Sequence, residues 1–192
     1  MLLAAPAARA QDRWRTEIIE DPAWERFSVC FDNGCASIVE VALDGAQQAA
    51  IRALFEPVAA DAAAERGQLR AAIAQMERFV GALTGTSRDK GGTFNFVSDR
   101  QMDCIDESTN TWSYLLMFRR YGLMRHHEVV EVATRGWPIF GWPHTTAVMR
   151  ETATGARWAV DSWFLDNGEP PFILPLEVWR RGWEPGDPVS AP

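Results

Sequence analysis

The sequence contains neither a long apolar segment nor a run of basic residues. Its 192 residues include 19 Lys and Arg against 26 Asp and Glu, which gives a net charge of −7. Nucleic-acid-binding proteins usually carry a basic patch, so we expect no nucleic-acid partner. No apolar run approaches the ~18–20 residues that cross a bilayer, so we expect no transmembrane anchor. With 47% apolar residues, the chain can bury the core of a single domain.

The amino terminus has the pattern of a secretory signal. Residues 1–10, MLLAAPAARA, combine an apolar stretch with Ala8-Arg9-Ala10, a small-x-small cleavage site, although the usual positive start is missing. The alternative is a disordered alanine-rich tail. We interpret residues 1–10 as the remnant of a signal peptide and residues 11–192 as one domain, exported to the periplasm or secreted.

Cysteine is scarce, with three residues in the chain. Cys30 and Cys35 flank Asp32-Asn33-Gly34, a strong turn signal that would bring their sulfurs together. In an oxidising compartment we expect them to form a disulfide. Cys104 is then the odd thiol, either a reactive group or a small buried apolar residue.

Three helices are predicted before the strands begin. Helical spacing of apolar residues indicates a helix over residues 43–59, which Pro57 is expected to end or kink, and a second helix over residues 61–84, with Gly85 just beyond. A third helix should start after Asp103 and end at Gly122. Its expected inward face consists of Ile105, Trp112, Leu115 and Leu116.

Cys104 falls in the first turn of this third helix. Asp103 is the expected N-cap, and Asp106, three residues on, gives a weaker version of the capping box. Free N–H groups and the dipole at a helix start favour a thiolate, whereas the two aspartates oppose it by repulsion. The motif therefore does not decide whether Cys104 is ionised.

The second half of the chain reads as β-strands. Residues 128–134, 144–151 and 156–164 have strand composition, and the last two are joined by a short turn that predicts an antiparallel hairpin. A four-residue loop places His144 and Asp161 on the same face of the sheet, directly opposite or diagonal. A three-residue loop would separate them.

Cys104, His144 and Asp161 together supply the groups of a thiol-based catalytic triad. The imidazole would accept the thiol proton and return it to the leaving group, and the carboxylate would hold the imidazole in one tautomer. A single strand histidine is more often a satisfied core residue. The other two histidines, His126 and His127, are interpreted as a surface pair.

The motifs MDCIDESTNTWSYL, HTTAVM and AVDSW, over roughly residues 94–165, resemble the transglutaminase-like cysteine proteinases. They are most similar to the bacterial periplasmic branch of that family. The resemblance implies an α+β, papain-like fold in which N-terminal helices and the cysteine-bearing helix pack on an antiparallel sheet. It also implies thiol-dependent cleavage of a peptide or amide, with Cys104 as nucleophile, His144 as base and Asp161 as its partner.

The acidic cluster at the cysteine departs from that family. Met102 and Ile105 replace the glycine and glutamate that usually accompany the cysteine of that branch. Members with the full cluster can bind calcium there, but Asp103 and Asp106 supply few of the six to eight oxygens that calcium prefers. No cofactor is expected to be required, and calcium at Asp103 and Asp106 is a possibility.

The oxyanion hole and the cleft walls are less defined by the sequence. The backbone N–H of Cys104 is the expected first oxyanion donor, and Gln101 or Asn95 could add a side-chain amide. Among nine tryptophans, most of them expected to fill the core, Trp142 is the candidate to shield His144 from water. The proline-rich C-terminal segment is predicted to be mainly a loop across the sheet.

Three functions fit these residues. The first is an exported cysteine peptidase that acts on a protein or peptide through an acyl-enzyme. The second is a transglutaminase-type acyl transferase or amidase, because an amine can capture the same intermediate. The third is a non-catalytic binding module, which would not need all three triad residues in order.

Overall fold

The computed structural model describes residues 17–93, 99–136 and 143–189. It is a mixed α+β structure, as predicted, with four helices and two antiparallel sheets in the described residues. The strands are β1 Phe27–Phe31, β2 Ser37–Val41, β3 His127–Arg135, β4 His144–Glu151, β5 Arg157–Asp161 and β6 Phe172–Pro175. The helices are α1 Gly45–Ala53, α2 Ala62–Thr84, α3 Cys104–Arg120 and α4 Leu176–Arg180.

The larger sheet is a meander of four strands in the order β3-β4-β5-β6. In the β4–β5 hairpin, Ala147 pairs with Val160 and Met149 with Trp158. Because this register continues toward the strand ends, His144 and Asp161 lie diagonal to each other on one face. The prediction from the four-residue loop is therefore confirmed.

Helix α3 lies between the two sheets, in contact with β1, β3 and β4. Its residues Leu115 and Phe118 are fully buried in the main core. Its polar residue Asn110 is also buried, and its amide accepts from the N–H of Cys30 at 2.8 Å and donates to the carbonyl of Cys30 at 2.8 Å. Contacts with both sheets therefore fix the position of the start of α3.

The inward face predicted for α3 is only partly correct. Leu115 is buried and Trp112 and Leu116 are half-buried, but Ile105 is 37% exposed. The buried face at this end of the helix is polar instead. Apolar spacing could not identify that face because polar side chains such as Asp106, Asn110 and Thr111 are buried through hydrogen bonds to other parts of the chain.

The first two helices test the predicted boundaries. α2 matches the prediction, with the Asp61 side chain accepting from the N–H of Ala64 and Gly85 ending the helix at φ +83°. α1 is shorter than the predicted range of residues 43–59, because it ends at Ala53, before Pro57. Pro57 has no N–H and restricts the residue before it, so the helix does not continue through it.

The disulfide between Cys30 and Cys35 is present, with Cα atoms 4.7 Å apart. It closes the turn of the β1–β2 hairpin, which the sequence analysis did not predict as a pair of strands. Strand β6 was also missed, since the C-terminal segment was expected to be mainly a loop. Among the described residues, no helix combines the length and the apolar character needed to cross a bilayer. The proposed signal remnant, residues 1–10, lies outside the described residues.

Candidate active site

A complete capping box fixes the start of α3. The Asp103 carboxylate accepts from the N–H groups of Ile105 at 2.9 Å and Asp106 at 3.0 Å. The Asp106 carboxylate accepts in return from the N–H of Asp103 at 3.1 Å. Cys104 therefore occupies the first helical position, where its own N–H has no acceptor within the helix.

Asp106 also ties the disulfide turn to this helix start. Its two carboxylate oxygens accept from the N–H of Asn33 at 2.8 Å and of Cys35 at 2.6 Å. Burial and the charge of Asp103 raise the pKa of Asp106 to about 8, against the opposing effect of these hydrogen bonds. Because its oxygens face N–H donors, Asp106 does not suit a cation. Calcium at Asp103 and Asp106 stays a prediction, and no step proposed below involves it.

The Cys104 thiol points toward the start of β4. Its Sγ lies 3.9 Å from the carbonyl oxygen of Pro143, and Cys104 is 7% exposed. Burial, reinforced by Asp103 and Asp161, raises the pKa of Cys104 to about 11, although hydrogen bonds from Thr145 lower it. Burial and repulsion therefore favour the protonated thiol over the thiolate.

His144 forms a buried pair with Asp161. Its Nε2–H donates to Asp161 Oδ2 at 2.7 Å, and the two residues are 6% and 2% exposed. Nδ1 of His144 is buried and has no hydrogen-bond partner within the described part of the chain. With Nε2 as the donor, Nδ1 carries a lone pair and can accept a proton. His144 follows Pro143 directly, so this nitrogen belongs to the same short segment that the thiol faces.

Two tryptophans hold Asp161 in place. The indole N–H of Trp179, on α4, donates to Asp161 Oδ2 at 2.6 Å, and the backbone N–H of Trp163 donates to Oδ1 at 3.3 Å. The sequence analysis did not identify Trp179 as a site residue. Its segment carries no local motif, and only the folded chain brings α4 beside the end of β5.

Aromatic rings enclose the His144 imidazole. The ring centroids of Trp163, Phe164 and Trp179 lie 4.8, 5.1 and 5.5 Å from it. Such rings exclude water from the imidazole and strengthen its bond to Asp161. Trp142, which was predicted to shield His144, lies outside the described residues.

The hydrogen bonds of the Gln101 side chain do not assign it to an oxyanion hole. The Gln101 side chain accepts from the N–H of Lys90 at 3.1 Å and donates to the carbonyl of Arg88 at 3.3 Å. Asn95 lies outside the described residues. A role for either amide stays a prediction, and the Cys104 N–H has the suitable position at the helix start.

Two buried carboxyl groups, of Asp89 and Glu77, form hydrogen bonds with the backbone of two loops near the site. Asp89 accepts from the N–H of Met102 at 2.6 Å, and Glu77 accepts from the N–H of Gly168 at 2.8 Å. Burial raises the pKa of each carboxyl to about 7. The Asp89 bond fixes the chain two residues before Cys104, so it positions the thiol.

A cleft of about 590 Å³ opens beside the imidazole. We call it the basic cleft, because its lining includes the side chains of Arg135, Arg180 and Arg181 along with His144 and Phe164. The described lining does not include Cys104. The cleft thus reaches the proposed base, His144.

His127 is buried, so its interpretation as part of a surface pair is wrong. Its Nδ1–H donates to Glu65 at 2.8 Å, and its Nε2 accepts from Arg66 at 3.2 Å. Both ring nitrogens are therefore occupied. His126 is half-buried, and its N–H donates to the same Glu65 carboxylate.

Comparisons with known proteins give no match. The chain fits no protein-family model, and neither the curated proteins nor the solved structures include a similar chain.

Proposed function

We propose that the chain is an exported thiol-dependent hydrolase that cleaves a peptide or amide bond of a protein or peptide substrate. The observation that carries this proposal is the His144–Asp161 pair, whose imidazole keeps a buried Nδ1 without a partner in the described residues. The Cys104 Sγ lies 3.9 Å from the carbonyl oxygen of Pro143, the residue directly before His144. A purely structural histidine would be expected to use both nitrogens, as His127 does. The papain-like arrangement and membership of the transglutaminase-like cysteine proteinases are part of the same proposal.

The reaction would begin with proton transfer from the Cys104 thiol to Nδ1 of His144. The sulfur attacks the substrate carbonyl carbon, and the resulting oxyanion is bound by the Cys104 N–H. His144 then returns the proton to the leaving amine, so the C–N bond breaks and a thioester forms. Water, deprotonated by the same nitrogen, hydrolyses the thioester and releases the acid and free thiol.

Asp161 would hold the His144 imidazole in one tautomer during the reaction. Its bond to Nε2–H leaves the lone pair on Nδ1 and stabilises the imidazolium that forms after proton transfer. The raised pKa of Cys104 makes this base necessary, because little thiolate exists at neutral pH without it. The thiolate and imidazolium pair can form only when His144 can accept the proton of the Cys104 thiol.

Export is supported by the disulfide. Cys30 and Cys35 are bonded, and disulfides persist in oxidising compartments such as the periplasm or the extracellular space. The sequence of residues 1–10 adds the pattern of a signal remnant. We therefore assign the hydrolase to one of these compartments as part of the proposal.

A peptide-library cleavage assay tests the proposal. Wild type should cleave a subset of peptides, while Cys104→Ala should cleave none and His127→Asn should cleave the same subset as wild type. Incubation of wild type with a cleaved peptide, followed by mass spectrometry, should find an acyl group on Cys104. Cleavage that persists in Cys104→Ala would refute the thiol mechanism.

The same assay separates hydrolysis from acyl transfer. Adding a primary amine should leave the acid as the main product if water captures the thioester. An amide product in place of the acid would instead identify an acyl transferase on the same triad.

A further inference from the structure

We infer that the basic cleft binds a carboxylate of the substrate through Arg135, Arg180 and Arg181. This inference rests on the proposed hydrolase, because it concerns the substrate of the same site. It specifies a peptide that carries either an acidic side chain or a free C-terminal carboxylate near the scissile bond.

The charge of the basic cleft opposes that of the molecule as a whole. The chain carries a net charge of −7, yet the cleft lining contains three arginines and one acidic residue, Glu184. A concave site lined by one sign of charge concentrates ligands of the opposite sign. The overall negative charge would repel a large polyanion, so a small anionic group on a peptide is the better match.

Two of the three guanidinium groups lack a direct ion pair in the described residues, although Asp161 and Glu184 act on Arg135 from a distance. Arg180 forms ion pairs with Glu177 at 3.2 Å and Glu131 at 3.8 Å. Within the described part of the chain, Arg135 and Arg181 form no ion pair. Arginine offers five N–H donors in a planar fork that fits a carboxylate with two parallel bonds. These two side chains therefore have binding capacity that the folded chain does not use.

The Arg135 guanidinium is fixed in one orientation by contacts within the folded chain. Its guanidinium donates to the carbonyl of Trp179 and lies 4.7 Å from the Trp179 ring centroid and 6.0 Å from that of Phe164. Stacking and one hydrogen bond fix the plane of the group at little further entropic cost. Trp179 also holds Asp161, so Arg135 contacts the same side chain that supports the catalytic pair.

The size and lining of the cleft favour a carboxylate on a short apolar stem. About 590 Å³ accommodates one or two amino-acid side chains, and Phe164 and Trp163 supply apolar contacts next to the arginines. Glutamate, aspartate and a peptide C terminus share this combination. Their common carboxylate is what the inference assigns, and the experiment distinguishes the two sources.

Binding to Cys104→Ala tests the inference without any turnover. The probes are three dansyl-labelled pentapeptides measured by fluorescence anisotropy: a Glu peptide as the C-terminal amide, its Gln counterpart as the amide, and the same Gln peptide as a free acid. A carboxylate contact of this kind should give about fivefold tighter binding of at least one acidic probe over its neutral partner at low salt. Preference for the Glu probe indicates a side-chain carboxylate, and preference for the free acid indicates a C terminus.

Arginine variants in the same background assign that preference to the basic cleft. Arg135→Gln combined with Arg181→Glu should reduce the ratio to below about twofold, because it removes both guanidinium groups that form no ion pair in the described residues. Arg119→Glu, an exposed arginine at the far end of α3, is the matched control and should keep the ratio. Equal binding of all probes, or a preference that survives the double variant, would overturn the inference.

Cleavage by wild type separates this inference from the proposed function. A carboxylate preference in binding without any Cys104-dependent cleavage would remove the hydrolase and keep the basic cleft. Cys104-dependent cleavage with no charge preference in binding or in kcat/KM would keep the hydrolase and remove the carboxylate assignment.

Discussion

Two buried histidine–carboxylate pairs lie at the start of neighbouring strands and have hydrogen bonds of nearly equal length, through Nε2 in His144 and Nδ1 in His127. His144 donates to Asp161 at 2.7 Å, and His127 donates to Glu65 at 2.8 Å. They differ at the second ring nitrogen, which in His127 accepts from Arg66 and in His144 has no partner in the described residues. A buried His–acid pair is thus common to both, and only one keeps a nitrogen available for chemistry.

The surroundings of the two pairs support the same distinction. His127 begins β3 on the side of the sheet where Arg66 also bonds to Glu151, so the arginine closes a structural network. His144 begins β4, faces the basic cleft and follows Pro143, toward which the Cys104 thiol points. Availability of a proton acceptor, and not the carboxylate alone, separates a catalytic candidate from a packing residue.

The largest expected effect comes from replacing the two histidines in turn by asparagine. His144→Asn should reduce kcat on a cleaved peptide by about 10³-fold, because it removes the proton acceptor. His127→Asn keeps a donor toward Glu65 and should change kcat by less than about threefold. Steady-state kinetics on both variants measure the difference.

Stability provides the control for that pair of variants. His127→Asn should lower the free energy of unfolding by about 1–2 kcal/mol, because it weakens a buried network. Urea denaturation followed by circular dichroism would report this change. Equal losses of kcat in the two variants would mean that the unpartnered nitrogen has no special role.

The second prediction concerns the two carboxylates. Asp161→Asn should reduce kcat by about 10²-fold, because an amide no longer stabilises the imidazolium or fixes the tautomer. Glu65→Gln should affect stability and leave kcat within about threefold. If Asp161→Asn matched Glu65→Gln in kcat, the carboxylate would be a packing residue in both pairs.

A smaller effect is expected from Trp179, which has no counterpart in the His127 pair. Trp179→Phe keeps an aromatic ring beside His144 but removes the N–H that donates to Asp161. We expect kcat to fall by about fivefold to tenfold, since one hydrogen bond to a charged group is lost. Trp183→Phe is the control, because the Trp183 N–H donates to the Asp187 carbonyl instead. A loss as large in Trp183→Phe would indicate general destabilisation.

The local parts of the site could be predicted from the sequence. Asp103 and Asp106 have the spacing of a capping box, which determined where α3 begins and placed Cys104 in its first turn. The length of the β4–β5 loop determined that His144 and Asp161 share a face. Both inferences use residues close in the chain, where helix and hairpin geometry leave few alternatives.

The non-local parts could not be predicted. Trp179 reaches Asp161 from a helix that follows a strand the sequence pattern did not indicate, and His127 is buried by Glu65 and Arg66 from α2. Ile105 is exposed because the polar face of α3 packs inward instead. In each case the outcome depends on which elements become neighbours, and neither spacing nor composition specifies that.

The smallest expected effect is a pH dependence of stability that belongs to the His127 pair. Burial by itself would raise the pKa of Glu65, but hydrogen bonds from His127, Arg125 and His126 outweigh it and hold the pKa below the ordinary value of 4.5. A lowered pKa in the folded state stabilises the protein above pH 4.5, and this contribution is lost as the pH falls through the folded-state pKa.

Glu65→Gln should therefore make the free energy of unfolding less dependent on pH in the acid range. The free energy of unfolding should change less between pH 6 and pH 3 than in wild type. The raised pKa values of Glu77 and Asp89 act in the opposite direction but cancel in the difference between the two proteins. Glu56→Gln, at an exposed position, should reproduce the wild-type pH dependence. If the free energy of unfolding had the same pH dependence in Glu65→Gln and wild type, His127 and Glu65 would contribute no charge-dependent stability. The second pair would then be held by packing alone.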